Sequence, residues 1–190
     1  MPKPQKGSFA KAEAILSETI TKGSTTWRIF RLRGECAFSL NKLKEADGDF
    51  AESMALLSVA STALRRAEVA VMMNEIEVAM VHLDHALELD ASYKDALVLK
   101  GQLLMRSRPR QSVECFDTVL LADPTDLANR FERARAYFYA REFRHGLTLF
   151  QSIIYTENTL FRKCANALIL VDLNQYSPGG NGLLSQQRLR

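Results

Sequence analysis

The sequence predicts an all-α fold, a right-handed α-α superhelix built from antiparallel helix pairs, and three observations carry that prediction. Small residues recur with a nearly constant step: Ala12, Ala46, Ala79, Ser112 and Gly146 are separated by 34, 33, 33 and 34. A bulky apolar side chain follows each by four residues, at Leu16, Phe50, Leu83, Phe116 and Phe150. A second small series, Gly34, Ala67, Gly101 and Ala134, steps by 33, 34 and 33. Each of its members precedes one of the first series by twelve residues, or by eleven between Gly101 and Ser112. Self-similarity at such a period marks a helical solenoid, whose extended surfaces serve binding.

A unit of this length holds two helices and two short turns, and its apolar residues recur at three and four, the helical period. After a disordered 1–7, a first helix is expected over 8–22. Pairs follow at 26–41 with 43–57, 60–73 with 76–89, 93–106 with 109–122 and 126–140 with 143–156, and a last helix at 159–174. The stops agree. Gly23 suits a C-terminal cap. Asp123-Pro124 closes a unit, because the residue before proline avoids helical geometry, and Leu89-Asp90-Ala91-Ser92 holds the same phase one unit earlier. Pro109 opens a second helix, where its missing N–H is harmless. The run Ser177-Pro178-Gly179-Gly180-Asn181-Gly182 ends all periodicity, so 175–190 reads as a flexible tail.

The residue types follow from packing. Two helices cross closely only where neither carries bulk at the contact, a role assigned to Gly34 and Ala46, and the Phe50 series is expected to fill the space between one pair and the next. Ala79→Leu should overpack its crossing at a cost of about 1–3 kcal/mol.

Composition bounds the function. Hydrophobic content of 47% with 25% charged residues fits an ordinary globular class. A net charge of +3 falls short of a nucleic-acid footprint. No apolar run reaches the roughly 18 residues that a spanning helix needs. The opening Met1-Pro2-Lys3-Pro4-Gln5-Lys6 leads into no leader-like apolar run. Cys36, Cys115 and Cys164 are odd in number and far apart, so no disulfide framework is implied and a reducing, cytoplasmic setting is expected.

The units resemble a tetratricopeptide repeat array. The residues that carry the resemblance are Ala134, Tyr137, Gly146, Phe150 and Ile153 in one unit, and Gly101, Leu104, Ser112, Phe116, Val119 and Pro124 in the one before. Ala67, Ala70, Ala79, Leu83 and Ala86 mark an earlier unit, and Gly34, Ala37, Ala46 and Phe50 the earliest complete one. Ser112, Gly146, Val119, Ile153, Ser58 and Asn158 depart from the family pattern, which points to divergent repeats. The resemblance divides 8–174 into a half repeat at 8–24, repeats at 27–58, 60–91, 94–124 and 127–158, and a terminal helix at 159–174. That last helix carries Phe161, Cys164, Leu168, Ile169 and Val171 on more than one face, so it implies a longer array or a surface for a partner or a second copy.

In this family the first helices of successive pairs line a concave groove that receives a segment of another protein. By register the groove should present Arg28, Arg31, Glu35 and Phe38, then Arg65, Glu68 and Met72, then Gln102, Met105 and Arg106, then Phe131, Arg135, Phe138 and Tyr139. Arginine and aromatic side chains over-contribute to interface energy, so the resemblance implies a scaffold or adaptor for a partner segment, acidic with apolar residues. A chaperone or co-chaperone sheltering a client segment is the alternative. The family's carboxylate clamp for heat-shock chaperones wants Lys and Asn four apart on one first helix. Arg31 and Glu35 stand there, and a Glu would repel the carboxylate.

Signals for chemistry are weak. His82 and His85 lie three apart near Asp84 and Glu88, with no further ligand group marked out, so no metal is expected. His145 has no nucleophile near it, and the Gly-rich tail lacks the strand and Lys-Ser context of a phosphate loop. No cofactor and no enzymatic activity are expected. The arginines 106, 108, 110, 130, 133, 135, 141 and 144 raise RNA as a partner, but Glu114, Asp117, Glu132 and Glu142 interrupt them.

Overall fold

The computed structural model describes residues 6–156, and the side chains of 7–153. The described residues form α1 (Lys6–Thr21), α2 (Trp27–Ser39), α3 (Leu43–Leu56), α4 (Ala60–Met72), α5 (Ile76–Leu89), α6 (Lys94–Leu104), α7 (Pro109–Ala122), α8 (Leu127–Tyr139) and α9 (Phe143–Thr156). Each helix packs on the next, and the stacked pairs make an all-α superhelix. Helix α1 includes Lys6 and Gly7, which the sequence places in a disordered start. The expected helix at 159–174 and tail at 175–190 lie outside the described residues.

The helix ends show why the repeat counts twelve residues in three units and eleven in one. Asn41, Asn74 and Arg141 adopt positive φ, at 62°, 62° and 61°. At each the chain reverses through paired bonds to the helix just ended: Lys42 N–H to the Ala37 carbonyl at 2.9 Å, Glu75 to Ala70 at 2.8 Å, and Glu142 to Tyr137 at 2.9 Å. The eleven-residue unit drops this left-handed residue. Its Arg108 N–H reaches the Leu104 carbonyl at 2.8 Å, and α6 stops at Leu104 rather than near 106. Asparagine tolerates left-handed geometry, whereas a β-branched side chain does not. Asn74→Val is therefore expected to cost about 1–2 kcal/mol, and Asn74→Gly to leave the urea midpoint nearly unchanged.

Other ends repeat too. Gly23 (φ +90°) caps α1, with the Ser24 N–H on the Thr19 carbonyl at 3.2 Å. Asp90 Oδ1 accepts from the Ser92 N–H and Oγ at 3.0 and 2.8 Å, and one unit later Asp123 Oδ1 accepts from the Thr125 N–H and Oγ1 at 3.0 and 2.7 Å.

Within each pair, bulk is complementary to missing bulk. A Cβ on Gly34 would stand 2.8 Å from the Phe50 ring, and one on Gly101 would stand 2.9 Å from Phe116. Where the first helix carries Ala67 instead, the partner is the smaller Leu83, in the same cluster. Phe50 thus fills its own pair first, and also meets Val69 of the next. Ser112 Oγ donates to the Gly101 carbonyl at 2.7 Å, so a buried hydroxyl replaces alanine with its polarity satisfied.

Between pairs, a basic row contributes. Arg33, Arg66, Lys100 and Arg133 each stand one residue before the small series and repeat at 33, 34 and 33. Lys100 Nζ binds Asp84 at 2.6 Å, and Arg133 Nη1 binds Asp117 at 2.9 Å, on the second helix of the preceding pair. The same phase holds Ala51 beneath Arg66, which reaches Asp47 at 2.8 Å instead. It holds Ser17 beneath Arg33, which turns to Asp49 within its own pair (Nε–Oδ2 2.9 Å).

Charged contacts also tie successive first helices, and one of them involves a helix cap. Lys94 Nζ lies 2.7 Å from Asp126 Oδ2, and Asp126 also caps α8 by accepting from the Asn129 N–H at 3.1 Å. Lys94 and then the Asn129 donors hold the Asp126 carboxyl down to about 2. The folded value lies below the roughly 3.9 of an unfolded aspartate, so this stabilisation is present above about pH 4 and is lost as pH falls toward 2. Asp126→Ala is expected to cost about 1 kcal/mol at pH 7. In thermal melts, its difference from the parent chain should shrink below pH 4.

Candidate functional site

Ion pairs link the first helix α2 with α4, and the start of α6 with the cap of α8, and such linked side chains build the candidate site from its N-terminal end. Arg65 on α4 donates from Nε to Glu35 Oε1 on α2 at 2.8 Å and from Nη1 to Glu68 Oε2 at 2.6 Å, with its guanidinium 5.7 Å from the Phe38 ring. Burial works against the Arg65 charge, but the bond to Glu68 and the field of Glu35 outweigh it and raise its pKa. Tyr93, at the entry to α6, is half-buried, and burial followed by Asp95 pushes its phenol up. Arg31, Glu68 and Arg65 act on the same ring. Side chains of three successive first-helix segments therefore converge.

Beside this lattice is a depression of about 400 Å³ lined by Trp27, Arg28, Arg31, Leu32 and Glu35. The Arg28 guanidinium lies 5.2 Å from the Trp27 ring, and Leu32 is 55% exposed. Among the described residues no ion pair ties Arg28 or Arg31, so their charge stays available at the surface.

At the other end Arg135 Nη1 pairs with Glu132 Oε2 on its own helix at 3.0 Å. Gln102 is exposed and Tyr139 half-buried. Two residues assigned to the groove from sequence, Met105 and Phe131, are core instead, and a third, Phe138, is half-buried against that core. Met105 is 5% exposed and packs with Val113, Phe116 and Ala136, because the shortened turn after Leu104 draws it inward. Phe131 is 9% exposed and meets Phe150 edge-on, with centroids 5.2 Å apart. Phe138 fills the space that Gly146 leaves open, where a Cβ would stand 2.6 Å from the ring, and it also touches Phe143 and Phe150. The spacing 131–134–138 puts both rings on the face of Ala134, toward α9.

Sequence reasoning missed Trp27, Leu32 and Tyr93 as surface-forming residues, and it missed the basic row. The row was visible as a series in step with the glycines. Tyr93 carries no periodic signal.

Among the described residues no cluster of three or more His, Cys, Asp or Glu could hold a metal. Burial lowers the His82 pKa, and His85 Nε2 lies 3.4 Å from Ser58 Oγ. Cys36 and Cys115 are buried free thiols whose pKa burial raises. No described helix is long and apolar enough to cross a membrane.

Known structures share this arrangement. A tetratricopeptide repeat protein from Parabacteroides merdae superposes with a TM-score of 0.75 at 17% identity, over 90% of this chain and 73% of that one. The chain has the tetratricopeptide repeat fold. YrrB, described as a tetratricopeptide repeat protein with an unusual peptide-binding site, matches with a TM-score of 0.69 at 16% identity, over 89% of this chain and 84% of that one. Yeast Tom70 gives 0.69 at 19% identity over 90% of this chain, which spans 37% of the Tom70 chain. No family model and no curated relative matches the sequence. The likeness therefore lives in the helix-pair geometry, in keeping with divergent repeats.

Proposed function

We infer that this chain is a non-catalytic scaffold, acting in the cytoplasm, whose first-helix face takes a segment of a partner protein. The observation that carries this reading is the Arg28–Arg31 pair beside Trp27 and Leu32, next to a lattice in which Arg65 is already neutralised by Glu35 and Glu68. A surface with fixed internal pairs and two available guanidiniums favours an extended or helical segment carrying acidic groups flanked by apolar ones. The peptide-binding site named for YrrB, on the same fold, supports the same use of the architecture.

Affinity capture with the full chain followed by mass spectrometry tests this. The expected result is one or a few retained proteins, released by competition with an acidic-apolar peptide cut from the captured partner. Suppression of client aggregation without stoichiometric capture would assign the chain to the sheltering chaperones instead. Retention only of RNA, with affinity falling steeply with salt, would overturn both.

A further inference from the structure

We propose that the cavity between the α6–α7 turn and the α8–α9 turn binds a phosphate monoester carried by a partner protein, with Arg108, Arg110 and Arg141 as its cationic walls. The cavity measures about 450 Å³, and Pro109, Gln111, Tyr139 and Ala140 complete its lining. It shares only Tyr139 with the groove expected from sequence.

Three features single it out. Arginine's planar fork matches phosphate oxygens two at a time, and three arginines line this one cavity. Among the described residues neither Arg108 nor Arg141 forms an ion pair, whereas Arg133 and Arg135 are held by Asp117 and Glu132. Arg110 meets Glu142 at 3.0 Å with 81% of its side chain exposed, a weak attachment in water that a dianion can displace. Glu142, which also lies 3.3 Å from His145 Nδ1, is the one acid in these contacts.

Backbone geometry adds the second feature. Arg141 takes φ +61°, the turn position that Asn41 and Asn74 fill in two earlier units. A long side chain there bears a strain that asparagine avoids, and such strain concentrates where a side chain serves a site. The third is the start of α7. Its first three residues, Pro109, Arg110 and Gln111, line the cavity, and the positive end of a helix favours an anion. The site is a single compact cluster, and acids interrupt the arginines around it: Asp117 and Glu132 hold Arg133 and Arg135, and Glu142 stands beside Arg110. That suits one doubly charged group on a protein better than the repeating charges of a nucleic acid.

The test is an NMR titration of the full 15N-labelled chain at fixed ionic strength. The probes are inorganic phosphate, a short phosphoserine peptide, its unphosphorylated twin and an oligouridylate. Saturable shifts are expected at the amides of 108–111 and 139–142 with the phosphopeptide and more weakly with phosphate. The unphosphorylated twin should give none. Affinity should fall roughly tenfold or more in Arg108→Ala/Arg141→Asn. Asparagine suits φ +61°, so the variant keeps its turn, and its amide spectrum reports its folding directly. Shifts that never saturate, or that survive the double variant, overturn the site. Saturation by phosphate alone overturns the protein-borne source, and tighter saturation of the same amides by oligouridylate overturns the partner class.

Discussion

Phe116→Ala is expected to lower stability by about 3–5 kcal/mol. The ring is fully buried, and it packs with Met105, Val113 and Ala136, so it joins α6, α7 and α8. Its near edge occupies the volume that a side chain on Gly101 would claim, at 2.9 Å. Removing it opens a cavity that a glycine cannot refill. Because each pair leans only on its neighbours, the urea midpoint of the whole stack should fall. The converse change makes the pairing explicit. Gly101→Ala is expected to cost about 1–3 kcal/mol alone and measurably less in a Phe116→Leu background, with a coupling of at least about 0.5 kcal/mol. Additive costs would show that the two residues do not share one volume.

The second large effect concerns binding. Arg28→Glu/Arg31→Glu is expected to weaken capture of the partner roughly 100-fold, because desolvated arginine anchors are worth about 2 kcal/mol or more at an interface and reversal adds repulsion. Stability should barely change, since Arg28 is exposed, Arg31 is half-buried, and neither makes an ion pair among the described residues. Isothermal titration beside a urea melt separates the two quantities. An affinity within threefold of the parent chain would remove this end of the inner face from the binding site.

The helix pairs were legible because their packing is local. A small residue and its bulky partner are 15 or 16 residues apart, as for Gly34 with Phe50 and Gly101 with Phe116, and the step repeats. The spacing thus predicts a helix over 76–89, and α5 occupies Ile76–Leu89. The site was less legible for two physical reasons. Register tells which helix carries a side chain, but Met105 and Phe131 turn into the core and Phe138 packs against it, according to turn length and the empty space beside Gly146. Charge availability depends on acids distant in sequence. Arg65 is neutralised from 30 residues away by Glu35, while Arg31, of the same residue type, has no such neighbour. The basic row escaped for a related reason: its partner shifts from 16 to 19 residues away wherever Ala51 takes the place of an aspartate.

Site-specific photocrosslinking asks directly whether a partner lies across the first helices. A benzoylphenylalanine at Gln102, exposed on the first helix α6, should form an adduct with the captured partner, while one at Leu121, 82% exposed on the second helix α7, should form none. Adducts from position 121 without any from position 102 would place the partner on the opposite surface and rule out binding across the first helices.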